Sequence, residues 1–423
     1  MGTYGISAKS LTDSEYAVVG TDGRPIKAGM QANNPRQVTA ALWRFLLNVK
    51  SCGVGSGPCA YGMDAPSGSQ CKGRKQLTRT KGDRTMQIVR IGMDIAKNVF
   101  QVHGVDAHGK VVVRKQFSRS KVLAYFAQLP ACRIGMEACG SAHYWGRELQ
   151  KLGHDVGLIA VQLIKPYRTK QKNDRNDAEA ICEAVSRPQM RFVPIKTVEQ
   201  QAVLTVHRAR ELLVSERTAV ANQIRGLLLE YGVAIAPGIQ RLRRELPAVL
   251  GAEDETLPTL ARTVVTELQV RLLELDERIA GHDRQIAQVA RQNEAAKRLM
   301  KVEGVGPITA TALVATVGDA KAFAHGRQFA AWLGLVPKQF STGGKPVLGR
   351  ITKRGNVYLR TLLIHGARAV LQFTAQRTDA KSLWVEELRQ RRGDNIAAVA
   401  LAAKHARIVW ALLAGGHEYQ VAA

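Results

Sequence analysis

Asp94, Glu137, Asp174 and Asp177 are the residues of this chain whose type and spacing best suit metal-assisted chemistry. Asp94 ends the apolar run Ile88-Val89-Arg90-Ile91-Gly92-Met93, and Glu137 ends a second run, Cys132-Arg133-Ile134-Gly135-Met136. Asp174 and Asp177 follow in Lys172-Asn173-Asp174-Arg175-Asn176-Asp177-Ala178, three apart and so on one face of a helix. Two hard cations held by such a set can stabilise both the attacking and the leaving oxygen of a phosphoryl transfer. Magnesium prefers oxygen ligands and keeps some of its water, so carboxylates suffice. Four carboxylates brought together without cations would repel one another. Singly, each is an ordinary turn residue or helix cap. Two features distinguish the set: Asp94 and Glu137 both end apolar strands, and the Asp-x-x-Asp pair sits in a basic stretch from Lys165 to Arg175. Asp106, Glu148 and Asp155 lack this context and read as turn or surface residues.

A second candidate is Ser341, in Pro337-Lys338-Gln339-Phe340-Ser341-Thr342-Gly343-Gly344-Lys345. Lys338, Lys345, Arg350, Lys353 and Arg354 lie near it in sequence and are candidate nucleic-acid contacts, and its glycines would let a phosphate backbone come close. A hydroxyl there could attack a phosphodiester and store the bond as a phosphoserine, with the cations stabilising the developing charge. A plain turn, or phosphate binding without catalysis, fits the same residues.

These side chains need a scaffold. From Met86 the pattern is α/β: strands at Ile88–Met93, Val99–Val105 and Lys110–Phe117 form an antiparallel meander turned at Asp106-Ala107-His108-Gly109. Ser118 caps an expected helix running through Leu129. Arg133–Glu137 reads as a buried strand, His143–Leu152 as a helix closed by Gly153, Asp155–Ala160 as a strand, and Asn176–Val185 as a helix. A meander followed by alternating helices and strands is the RNase H-like order, with the acids at its strand ends.

Residues 198–300 read as almost wholly helical. Leu268, Leu272, Leu275, Ile279, His282, Ile286 and Val289 form an a/d seam with one polar intrusion, and Leu213, Arg217, Val220, Ile224, Leu227 and Tyr231 repeat the spacing. Pro237, Pro247 and Pro258 are expected to break the region between them. A helical hairpin packed on itself and an oligomer-forming coiled coil fit equally. Val302-Glu303-Gly304-Val305-Gly306-Pro307-Ile308-Thr309-Ala310 resembles the hairpin of a helix-hairpin-helix element, with glycines for close backbone approach and amides turned to a phosphate. The remainder is helical and Ala-rich to about Leu413.

The chain has 423 residues, room for two or three cores, and 61 Lys+Arg against 35 Asp+Glu give a formal charge of +26. That excess implies a polyanionic partner, nucleic acid first. No apolar run reaches the roughly 18 residues of a spanning helix, and residues 1–30 lack a secretory core, so a cytoplasmic, nucleoid-associated protein is expected. Cys52, Cys59, Cys71, Cys132, Cys139 and Cys182 contain no C-x-x-C pair; they read as unpaired thiols, with zinc among the first three only weakly signalled. Residues 1–85 are rich in Gly, Ser and basic residues, with one helix-like piece at Val38–Val49, and are expected to be poorly ordered. A start assigned too far upstream of Met86 would explain them, and native N-terminal sequencing tests it. The expected organisation is α/β plus α: an extension at 1–85, an acid-bearing nuclease-like domain at 86–196, a coiled-coil region at 197–299 and a C-terminal domain at 300–423.

Four stretches together carry a resemblance: Ile91-Gly92-Met93-Asp94-Ile95-Ala96-Lys97, Gly135-Met136-Glu137-Ala138-Cys139, residues 172–178, and Gly334-Leu335-Val336-Pro337 through Gly355-Asn356. From about residue 86 onward the chain resembles the DEDD transposases of bacterial insertion-sequence family one-hundred-and-ten, especially the eleven-eleven branch. The resemblance implies a RuvC-like RNase H domain, a coiled coil and a C-terminal transposase domain. It implies magnesium on Asp94, Glu137, Asp174 and Asp177, and Ser341, rather than the adjacent Thr342, as the nucleophile that joins DNA. It further implies an element-encoded noncoding guide RNA and a homo-tetramer or dimer whose active sites are shared between protomers. A hydrolytic RuvC-like nuclease or junction resolvase using the acids alone, and an inactive DNA- or RNA-binding remnant, are the competing readings; the intact acids and serine count against decay.

Overall fold

The computed structural model describes residues 87–168, 171, 173–252 and 256–420, with the backbone of a short antiparallel pair, Val18–Val19 with Pro25–Ile26, further upstream. Chain contacts divide the molecule into Met1–Lys81 and Gly82–Ala423. The helix-like piece at 38–49 and Cys52, Cys59 and Cys71 lie outside the described residues.

In the second unit a six-stranded sheet runs in the order β3-β2-β1-β4-β5-β6. Its strands are β1 (Arg90–Ile95), β2 (Val99–Val105), β3 (Val111–Ser118), β4 (Arg133–Glu137), β5 (Asp155–Ile159) and β6 (Phe192–Val193). The first three form an antiparallel meander, β1–β4 and β4–β5 are parallel, and β6 returns antiparallel. This is the RNase H-like order. Strand alternation sorts residues onto two faces. Ile91, Met93, Ile134 and Met136 pack with Phe126 of α1 (Val122–Phe126) and with Trp145 and Leu149 of α2 (Ala142–Lys151). The ring of Phe100 meets Trp145 edge-on at 4.8 Å. The opposite face receives α4 (Asp174–Val185), which follows the short α3 (Val161–Ile164). Asp106 accepts from His108 N and Lys110 N, both at 2.9 Å, as a turn residue should. Ser118 does not cap: it ends β3, and a 3-10 turn at Arg119–Lys121 precedes α1, which stops at Phe126.

Two long helices follow, α5 (Val198–Leu229) and α7 (Thr259–Gln292), with α6 (Ile239–Gly251) between them. Thr197 and Gln200 form a reciprocal capping box at the start of α5. α5 and α7 pack on each other within one chain, through Leu213 against Leu275 and Ile279 and through the Arg217–Asp276 ion pair at 3.1 Å. The seam buries Leu272, Leu275, Ile279 and Ile286 as the spacing predicts, and ends on Ala290 rather than Val289. Pro247 does not break the chain; it lies inside α6, whose buried Leu242 and Leu246 outweigh the lost backbone bond.

The rest is α8 (Glu294–Met300), α9 (Pro307–Val317), α10 (Gly326–Trp332), α11 (Val357–Leu371), α12 (Ala380–Arg392) and α13 (Asp394–Gly415), with a β-hairpin, β7 (Pro337–Gln339) and β8 (Leu348–Ile351), between α10 and α11. At the helix-hairpin-helix-like loop, Gly304 is used differently from the sequence expectation: a Cβ there would lie 2.6 Å from Gly366 O, so its bareness admits α11. α13 is long and apolar enough to cross a membrane by length and composition alone. Here it is a core helix, burying Ala397, Leu401, Ala402, Val409 and Leu412 among the surrounding helices.

Candidate active site and nucleic-acid interface

Gly92 pairs with Gly135, and Gly135 with Gly157, so a row of glycines crosses the three central strands. A Cβ on Gly92 would fall 2.1 Å from Ala178 O and 2.3 Å from Cys182 N; one on Gly135 would fall 2.8 Å from Val185 Cβ. Gly92 and Gly135 therefore let α4 lie directly on the sheet, while a Cβ on Gly157 would fall 2.5 Å from the ring of Phe192. Two residues beyond Gly92, on the same face, stands Asp94; two beyond Gly135 stands Glu137. Met93 pairs with Met136, so the two acids are the next register neighbours on parallel strands, which lie about 4.8 Å apart. α4 brings Asp174 and Asp177 in its first turn, the one a turn before Ala178 and the other immediately before it. Asn173 caps that turn by accepting from Asn176 N at 2.8 Å.

The consequence registers on Asp94. Burial, then the charges of Asp174, Asp177 and Glu137, push its carboxyl from the ordinary 3.8 up to about 6, against one stabilising backbone hydrogen bond from Ile95. The structure thus brings all four predicted acids into one electrostatic neighbourhood. They do not form a closed cage: among the described residues no three His, Cys, Asp or Glu side chains converge tightly enough to hold one ion as they stand. Arg168 occupies part of the space, its Nε 2.5 Å from Asp177 Oδ1. The contact lacks hydrogen-bond geometry, and both atoms are buried without a hydrogen-bond partner. An all-oxygen donor set fits a hard divalent cation, which would take the place that the Arg168 guanidinium holds against Asp177 Oδ1. Asp155 and Glu148 are paired on the surface, to Arg133 at 3.1 Å and Lys151 at 2.8 Å, as read from sequence.

Sequence reasoning missed Arg168 as a partner of Asp177, although the basic stretch beginning at Lys165 was its signal. It also missed Cys139, whose thiol is pushed up by burial and by the nearby Glu137 and Asp94. Cys132, Cys139 and Cys182 are all free thiols.

Ser341 lies elsewhere in the chain's contacts, at the turn of the β7–β8 hairpin. Its Oγ accepts from Gln339 Nε2 at 2.9 Å and from Val347 N at 3.2 Å. Lys338, Ser341, Lys345, Arg350, Lys353 and Arg354 are all exposed. The chain carries no acid anywhere between Asp319 and Asp379, so these cations face solvent with no nearby carboxylate in sequence. No hairpin cation is among the charges acting on Asp94.

An RNase H-like sheet with an Asp-Glu-Asp-Asp cluster, followed by an acid-free cationic segment, defines a DEDD-type phosphoryl-transfer enzyme acting on nucleic acid. Comparison with known proteins agrees. A DEDD transposase model of the IS110 type matches residues 91–233, and the model described as "Transposase IS116/IS110/IS902 family" matches residues 296–382. A "Probable family 20 transposase" of Pseudomonas aeruginosa is 55% identical over 329 residues, covering 78% of this chain and 97% of its own length. The transposase for insertion sequence element IS1111A of Coxiella burnetii is 47% identical, covering 81% and 94%. The transposase for insertion sequence element IS1328 of Yersinia enterocolitica is 40% identical, covering 78% and 98%. The chain belongs to the IS110/IS116/IS902 family of insertion-sequence transposases, enzymes that cut and rejoin DNA. DEDD-type domains typically use a divalent metal.

Proposed function

We propose that this transposase cuts and rejoins DNA through Ser341, with magnesium on Asp94, Glu137, Asp174 and Asp177, and that an element-encoded noncoding RNA chooses the sites. The observation that carries the reading is the meeting of four acids: Asp94 and Glu137 end adjacent parallel strands, and the first turn of α4 sets Asp174 and Asp177 close enough to act on Asp94, an arrangement costly in a protein that does not use cations. When bound, magnesium supplies charge stabilisation to the phosphoryl oxygens.

The chain's own residues supply the rest. Ser341 Oγ attacks phosphorus; an O–P ester forms as the bond to a deoxyribose oxygen breaks, and the serine proton passes, in net, to that leaving oxygen. The phosphodiester is conserved as a phosphoserine and can be rejoined. Two N–H donors, from Gln339 and Val347, stabilise charge developing on Oγ. Lys338, Lys345, Arg350, Lys353 and Arg354 bind the phosphate backbone without reading bases. A +26 chain that grips backbone suits a division of labour in which RNA pairing supplies sequence. Phe340 and Leu348 are 63% and 64% exposed on the same hairpin, which supports its insertion against another subunit of a tetramer or dimer.

The test is strand transfer on a plasmid carrying the element ends, with RNA transcribed from the flanking noncoding segment. Ser341→Ala should abolish the covalent protein–DNA adduct and the recombinant product, and Asp94→Asn should abolish joining in magnesium. Undiminished cleavage by Ser341→Ala would instead establish the hydrolytic nuclease reading. Loss of activity without RNA supports the guide.

A further inference from the structure

Residues 337–350 are exposed throughout, so nothing else in the described chain packs over the hairpin that carries Ser341. Its direction is set at its root alone. There Thr352 N donates to Val336 O at 2.9 Å and Lys353 N to Gly334 O at 3.2 Å. The two strands of the root touch backbone to backbone. Gly334, at φ 74°, would put a Cβ 2.1 Å from Arg354 O; Gly355, at φ 82°, would put one 1.9 Å from Trp332 O.

Arg360 closes this root. Its Nη1 donates to Leu333 O, before the hairpin, and to Arg354 O, after it, both at 3.1 Å. The side chain is buried, with the residue only 7% exposed. The Leu333 carbonyl ends α10, so the guanidinium also meets the negative end of that helix. Its role in the geometry is to tie the strand that leaves the body to the strand that returns.

The same first turn of α11 is anchored on its other side. Tyr358 OH lies 2.9 Å from His207 Nδ1 on α5, and His207 Nε2 lies 3.0 Å from Thr311 Oγ1 on α9. Thr311 donates its own hydroxyl to Pro307 O at 2.7 Å, so it must accept from His207. Nε2 therefore carries the proton, Nδ1 accepts from Tyr358, and every polar atom of the chain is used. Burial holds the imidazole down at about 4, which keeps it in this neutral form.

We propose that Arg360 is a positioning residue for Ser341, and that Tyr358 and His207 mount it on the long helix α5, so that the serine hairpin is a fixed arm rather than a loose loop. This rests on the reading of Ser341 as the nucleophile, but the mounting itself can be tested without it.

Hydrogen exchange at Thr352 and Lys353 in the full chain reads the root directly. Arg360→Met removes a buried, doubly donating cation and should speed exchange there about 10-fold to 100-fold. Amides inside α13 should be unchanged. Arg360→Lys should recover part of the protection, and the exposed Arg368→Met on the same helix should change nothing. Should Arg360→Met fail to fold, Tyr358→Phe removes a single hydroxyl and should speed the same amides several-fold. The second arm is adduct formation on the element-end plasmid with its flanking RNA. For Arg360→Met, the rate at saturating DNA should fall about 10-fold or more while the DNA Kd stays within about 2-fold. Unchanged exchange at Thr352 and Lys353 in both variants overturns the mounting, and so does a lost rate explained wholly by weaker DNA binding. Adducts persisting in Ser341→Ala would refute the nucleophile instead, leaving the exchange result to stand.

Discussion

The carboxyl of Asp94 makes an unusual prediction: replacing a residue of the candidate metal site should stabilise the metal-free protein. In the folded chain this group titrates at about 6 instead of 3.8. That gap corresponds to about 3 kcal/mol for a fully buried group. Asp94 is only half-buried, so solvent screening reduces it to about 1 kcal/mol. The sign follows from proton binding. Between pH 3.8 and about 6 the folded state holds a proton that the unfolded state has released, so this group's contribution to stability falls as pH rises through this window and stays low above it. Asp94→Asn cannot ionise and escapes the penalty. It should raise the Tm by about 1–2 °C at pH 7.5 without divalent cation, and by nothing at pH 3.5. Magnesium or manganese should then raise the wild-type Tm, since a ligand bound only by the folded state adds stability by mass action, and should do much less for Asp94→Asn. Thermal scans in chelator and in 10-fold steps of manganese measure all four cases. A metal-free Asp94→Asn protein that is less stable than wild type at pH 7.5, or an equal metal response in both, would refute the argument that these acids are gathered for cations.

Arg168 pairs with Asp177 inside the same neighbourhood; Arg168→Gln should therefore tighten manganese binding several-fold by calorimetry, while lowering metal-free stability at neutral pH. Gly355→Ala, at positive φ with its Cβ 1.9 Å from Trp332 O, should cost about 3 kcal/mol or more and be visible as a lowered denaturation midpoint. His143, His207 and His405 are each held at about 4 chiefly by burial. The unfolded chain takes up protons at these residues from about 6.5 downward while the folded chain does not, so stability should fall as pH drops from 6.5 toward 4, most clearly in Asp94→Asn, which removes the opposing titration; a Tm of that variant independent of pH across the range would contradict it.

What could be read from the sequence was what depends on neighbours in the chain. The strand Val99–Val105 and the strand Arg133–Glu137 were predictable because apolar runs ended by turn residues carry their own signal. The strand-end positions of Asp94 and Glu137 came with them. The reason the acids meet was not readable: the Gly92–Gly135 pair that admits α4 exists only once strand register is known, and register is a relation between distant segments. Pro247 misled because a local breaker was overruled by tertiary burial of Leu242 and Leu246. Ser118 misled because a cap residue is equally at home ending a strand. Arg360 gave no signal at all: its partners, Leu333 O and Arg354 O, are backbone atoms that any sequence would supply.

The charge layout carries a constraint on the order of events. A phosphodiester drawn to the acid-free segment between Asp319 and Asp379 meets cations, but the same phosphate would meet net repulsion from the cluster of Asp94, Glu137, Asp174 and Asp177, against which Arg168 sets a single positive charge. The long-range attraction is screened beyond about 8 Å at physiological salt, whereas repulsion among half-buried acids is screened less. DNA contact at the hairpin can therefore precede cation loading, but close approach of a scissile phosphate to the acids cannot. If Lys338, Lys345, Arg350, Lys353 and Arg354 hold the backbone as proposed, DNA affinity should be strongly salt-dependent and nearly metal-independent. The manganese requirement of joining, in contrast, should be steep and little altered by Lys338→Ala. Filter binding and strand-transfer assays over the same salt and metal series separate the two, and a DNA Kd that collapses in chelator would show that acids and cations share one binding surface after all.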